Sequence, residues 1–177
     1  MKRDDGHSRR VAVGGLFAAL IVVVLLLNNL LPFATLALVG IAAVLLLLFV
    51  LEFGWRWAAL VFVASGVLCF FVVADRKVFL LYVLVFGLYA LLKPLMDHIG
   101  NPVLRWGVKI VFGVAAGGGY YLLFTTLFGV PEIMNKVALP LVAALALAVY
   151  ILFDWVVTRA LEEYYNRIRK KFSRFLD

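Results

Sequence analysis

The chain has 177 residues, of which 66% are hydrophobic and 15% charged, with a formal net charge of +7. A soluble domain averages about 45–50% apolar and about 25% charged residues, so a water-soluble globule of this size is excluded. Lipid removes the difficulty because the solvent itself is apolar. The 17 basic against 10 acidic residues would suggest a nucleic-acid partner in a soluble protein. Here they stand at the two ends and between apolar runs, which is the pattern of membrane topology, and no nucleic-acid partner is expected.

In chain order, residues 1–10 form a polar cytoplasmic segment carrying Lys2, Arg3, Arg9 and Arg10. The first apolar run, Val11 to Leu31, is longer than the core of about 7–15 residues expected of a signal peptide. No good A-x-A site follows it, so it reads as helix one, ended by Asn28, Asn29 and Pro32. Helix two is expected over 33–53, with Gly54 as its stop signal. Helix three follows over 57–74, and Asp75-Arg76-Lys77 breaks the pattern. Helix four is expected over 78–92, closed by Lys93 and Pro94, with Asp97-His98 as a solvated loop pair. Helix five is expected over 103–130 and helix six over 137–157. Most of these runs approach the roughly 20 residues needed to cross the hydrocarbon layer.

Residues 158–177 change character. Leu161, Tyr164, Tyr165, Ile168, Phe172 and Phe175 recur at helical spacing among Arg167, Arg169, Lys170, Lys171 and Arg174. The pattern predicts a cytoplasmic basic amphipathic helix lying on the lipid surface. The expected fold is therefore an all-α integral membrane protein: a six-transmembrane-helix bundle over residues 11–157 with that tail appended. With six spans, fourteen basic residues fall on the side of the two termini and three on the other. The positive-inside rule places both termini in the cytoplasm of a multi-pass cell-membrane protein.

Four features are candidates for function. Helix one carries a small-residue ladder, with Gly14 and Ala18 four apart and Gly15 and Ala19 likewise. Small residues at that spacing admit a second helix, either from the same chain or from a partner, so these four are the partner-docking candidates. Helix five contains Gly117, Gly118 and Gly119, followed by Tyr120, Tyr121, Thr125 and Thr126. Each interior glycine disfavours helix by about 1 kcal/mol relative to alanine. The run reads either as a close-packing surface or as a break opening a cavity, since transporter sites use broken helices. A third feature is a polar outer edge formed by Asn28, Asn29, Asp75 to Lys77, Tyr82, Glu132, Asn135 and Lys136. The fourth is the set of ionisable residues near the cytoplasmic ends of the spans: Glu52, Lys93, Lys109 and Asp154. Ionisable groups in spans raise a functional reading, although those near helix ends can snorkel. A structural Lys109–Asp154 pair is the expected arrangement.

Substrate-binding candidates are accordingly Asn28, Asn29, Tyr82, Gly117, Gly118, Gly119, Tyr121 and Thr125. Enzyme chemistry is not expected, and no catalytic residue, cofactor or metal is assigned. His7 and His98 are isolated, short of the clustered ligands that a metal site requires. Cys69, the single cysteine, reads as a small buried hydrophobe.

Several of these features together resemble the substrate-binding S components of energy-coupling factor transporters, which are small, basic bacterial membrane proteins with six helices. Their first helix carries an A-x-x-x-A ladder, matched here in spacing by Gly15 and Ala19, with glycine in the first place. Leu31-Pro32 resembles the proline that often closes that helix, and EFGWRWAALVFVASGVL resembles the family's turn into a small-residue-rich third helix. The resemblance implies docking to a coupling membrane subunit and its ATPases, and capture of a vitamin-like small molecule from outside. The alternative is a non-transporting membrane scaffold or accessory subunit, of which the rod-shape-determining membrane protein is an example. That family's Pro-Asp pair before the second span is not evident here.

Overall fold

The computed structural model describes residues 5–128 and 138–164. These residues are helical with short connections, and no strand occurs among them. The chain divides into two compact units, Met1–Val130 and Pro131–Asp177.

The first unit contains five long helices. Helix α1 spans Asp5–Leu26 and passes through one 3-10 turn at Leu27–Asn29. A second 3-10 turn, Pro32–Ala34, leads into α2, Thr35–Phe53. Helix α3 spans Trp55–Val72. Helix α4 spans Arg76–Asp97, and α5 spans Pro102–Phe128. All five are long and apolar enough to cross a membrane. The protein is therefore an all-α membrane protein with several spans. In the second unit, α6 spans Ala138–Tyr164. It runs unbroken past the expected boundary at 157/158, where the Thr158 hydroxyl donates to the Asp154 carbonyl at 2.7 Å. The amphipathic tail beyond Tyr164 lies outside the described residues, as do Glu132, Asn135 and Lys136.

Helix α2 is the centre of the first unit. It contacts α1, α3 and α4, and its buried residues, including Val39, Ala42, Ala43, Leu46, Leu47 and Phe49, occupy more than one face. Its neighbours bury single stripes instead. On α3 the stripe is Ala58, Val61, Ser65 and Cys69, the three-and-four spacing that keeps side chains on one helix face. On α1 it is Ala18, Ile21 and Leu25, while Leu16, Leu20, Val23 and Leu27 stay exposed. In water such an apolar surface would drive association; in a bilayer it is the solvated surface.

Two backbone features set the geometry. Gly54 alone joins α2 to α3, with φ +86 and ψ 165, a region open essentially to glycine. Its N–H donates to the Val50 carbonyl at 2.9 Å, closing α2. The second feature is a π-helical stretch, Leu81–Gly87, inside α4. A side chain at Gly87 would come 2.7 Å from the Phe62 ring and 2.9 Å from the Tyr82 carbonyl. Glycine thus permits both the wide turn and the close approach of α3.

Helix α4 also continues through Lys93 and Pro94 to Asp97, five residues beyond the expected end. Proline inside a span is tolerated where the local hydrogen-bond pattern adjusts.

Candidate functional site

The ladder on α1 divides into two faces. Gly14 and Ala18 point inward. A β-carbon at Gly14 would sit 3.2 Å from Val61 Cγ2 and 3.5 Å from Phe49 Cζ, so this pair lets α1 lie close to α2 and α3. Gly15 and Ala19 are exposed on the adjoining strip, and no described atom comes within 4 Å of a β-carbon placed at Gly15. One small pair is occupied by the protein's own packing, and the other faces out.

The residues expected to form an outer polar edge are distributed differently from that expectation. Asn28 is buried, and the single hydroxyl proton of Thr35 is shared between the Asn28 Oδ1 at 2.7 Å and the Pro32 carbonyl at 2.8 Å. These bonds tie the end of α1 to the start of α2. Asn29 is exposed beside it. Tyr82 is fully buried in the core, its hydroxyl 3.0 Å from Ser65 Oγ. Ser65 donates its one proton to the Phe62 carbonyl at 3.0 Å, so Tyr82 is the donor to Ser65. Both Asn28 and Tyr82 thus make their hydrogen bonds inside the bundle.

Gly117 to Gly119 lie within one continuous helix, α5. Among the described residues no atom comes within 4 Å of a β-carbon built at any of the three. The helix is unbroken there, and no tight contact occurs among the described residues. Thr125 and Thr126 return their hydroxyls to the Leu122 carbonyl at 3.0 and 2.7 Å, and Tyr121 is half-buried. The structure does not bring these residues together with Asn28 and Tyr82 through any described hydrogen bond.

The strongest polar constellation is at the opposite end of the first unit. Tyr89, Lys93 and Asp97 follow one another at four-residue steps along α4 and so share a face. Lys93 is 1% exposed; its Nζ donates to the Tyr89 hydroxyl at 3.1 Å and lies 3.4 Å from Asp97 Oδ2. Its 5.5 Å distance from the Tyr89 ring centre then reflects a position beyond the hydroxyl, not above the ring face. Lys109, from α5, reaches Asp97 Oδ1 at 2.7 Å. Asp97 is therefore no solvated loop residue. It is the last residue of α4, and its carboxylate joins two buried ammonium groups from two helices. Tyr89 extends the cluster to Phe112 of α5, with ring centres 6.2 Å apart. The sequence singles out both lysines, and Asp97 is an acid of this cluster that it does not single out. The Tyr89-Lys93-Asp97 spacing was the available signal.

Between α3 and α4 lies an open groove of about 370 Å³, lined by Phe62, Gly66, Phe70, Phe71, Phe79 and Val83 among others. Its walls are apolar. Among the described residues, no group of three or more His, Cys, Asp or Glu side chains is placed to hold a metal.

No protein-family model matches the chain, and no curated protein and no solved structure is significantly similar to it.

Proposed function

We propose that the protein is a non-catalytic membrane subunit that works by binding another membrane protein through α1. The division of its small-residue ladder carries this reading. Gly14 and Ala18 serve the protein's own packing, whereas Gly15 and Ala19 present an equally small strip to the lipid. A flat, small face lets a partner backbone approach closely, and in lipid that packing, not hydrophobicity, favours association. The proposed topology has six spans in the cell membrane, α6 being the sixth. The distribution of basic residues, fourteen against three, supports cytoplasmic placement of both ends.

The interior favours a scaffold or accessory subunit. A solute-capture subunit needs polar groups facing an enclosed space, whereas Asn28 and Tyr82 bond within the bundle and the groove between α3 and α4 is apolar. The second reading is the S component of an energy-coupling factor transporter; the outward Gly15–Ala19 pair matches the position of its docking ladder.

Co-purification separates the two. A scaffold brings down a membrane partner without ATPases and retains no vitamin-like solute. An S component brings down a coupling subunit with two ATPases. A chain that purifies from its native membrane with no other membrane protein overturns both readings.

A further inference from the structure

We infer that the groove between α3 and α4 is a selective site for an anionic phospholipid, with an acyl chain along its floor and the phosphate at Arg76. This rests on the membrane-spanning reading but not on the identity of any docking partner.

The groove is built by residues at four-residue steps on α3, namely Phe62, Gly66 and Phe70, facing Phe79 and Val83 of α4. Gly66 forms the floor: a β-carbon there would meet nothing closer than Val83 Cγ2 at 3.8 Å. From Phe62 to Phe70 the helix rises about 12 Å, enough to seat an acyl segment lengthwise. The volume of about 370 Å³ falls within the range of about 300–1,000 Å³ typical of ligand sites.

Every lipid-facing groove touches acyl chains. What distinguishes this one is the charge at its mouth. The Arg76 guanidinium stands over the ring of Phe70, 4.6 Å from its centre, and donates to the Phe70 carbonyl. Phe70 is itself a groove wall, with Phe79 and Phe71 packed edge-on at 5.5 and 5.4 Å. The cation is thus fixed to the rim. Lys77, the next residue, is exposed but stands near α5, its Nζ 6.0 Å from the Phe124 ring centre. The one carboxylate nearby in sequence, Asp75, accepts from the Lys77 backbone N–H at 3.0 Å as the cap of α4. An apolar trough ending in the fixed, exposed Arg76 cation complements an amphiphile with a negative head.

Native mass spectrometry of the full chain tests this, with phosphatidylglycerol and phosphatidylcholine of identical acyl composition offered in equal amounts. One rim cation predicts retention of phosphatidylglycerol on the order of fivefold over phosphatidylcholine. The variant Arg76→Gln should bring the two lipids to parity while keeping its melting temperature. Gly66→Leu, which fills the floor, should lower retention of both; Gly66→Ser is the gentler variant if leucine disturbs folding. Inorganic phosphate at millimolar concentration should displace neither lipid. Equal retention of the two lipids by the wild type overturns the proposal. So does unchanged selectivity in Arg76→Gln, unchanged retention when Gly66 is filled, displacement by phosphate alone, or a second copy of this chain covering the groove.

Discussion

Replacing Asp97 with alanine should destabilise the first unit more than any other single polar substitution where α4 meets the start of α5. The carboxylate lies 2.7 Å from Lys109 and 3.4 Å from Lys93, and both ammonium groups are buried. Removing one partner of a buried ion pair typically costs about 3–5 kcal/mol, because a buried charge is left behind. The Asp97 side chain is itself 34% exposed, and a lysine near a helix end can reposition toward water. Both effects favour the low end, about 3 kcal/mol. Asp97→Asn keeps the shape but not the charge and should fall close to the alanine variant. Pairing Asp97→Asn with Lys109→Met should recover part of the loss, since apolar replacements of buried pairs are often neutral. Equilibrium unfolding in detergent micelles, with melting temperature as a second readout, gives the numbers. An Asp97→Asn variant within about 0.5 kcal/mol of wild type, the size of an ordinary surface effect, would refute the assignment of Asp97 as the acid of this cluster.

Two further predictions concern glycines. Gly87→Ala should destabilise by about 1–3 kcal/mol through overpacking, because the new methyl meets the Phe62 ring at 2.7 Å and the Tyr82 carbonyl at 2.9 Å. Gly66→Ala, with its nearest atom at 3.8 Å, should be tolerated, so the difference between the two melting temperatures measures the π-helical constraint. In α5, Gly118→Ala should stabilise by up to about 1 kcal/mol, since the helix is continuous there with no described atom in the way. A loss of stability on that substitution would show that Gly118 packs against something.

The membrane class and the approximate helices were legible because a run of some twenty apolar residues is a strong signal. The faces were not. In a soluble protein the polar side of a helix marks its exterior, but here Leu16 and Leu20 are exposed while Ile21 and Leu25 are buried, and no polarity contrast separates them. For that reason the sequence does not distinguish Gly14–Ala18 from Gly15–Ala19, one residue apart. The break that is one of two readings of Gly117 to Gly119 follows from propensity measured in water. In lipid, an unwound turn leaves its N–H and C=O groups without partners, which favours helix continuity. Tyr82 was read as an edge residue from its distance to the loop; the π-helical stretch and Ser65 place it in the core. Asp97 is hidden in the sequence because Pro94 marks an apparent end of α4 before it.

The most direct test of the docking reading compares the two faces of the α1 ladder in the full chain. Wild type, Gly15→Leu/Ala19→Leu and Gly14→Leu are purified from native membranes, and bound membrane partners are quantified beside the melting temperature. The outward double variant should lose its partner while keeping wild-type stability. Gly14→Leu should lose stability by about 1–3 kcal/mol from overpacking against Val61 and Phe49. Undiminished partner recovery by the outward variant at unchanged stability would contradict the account.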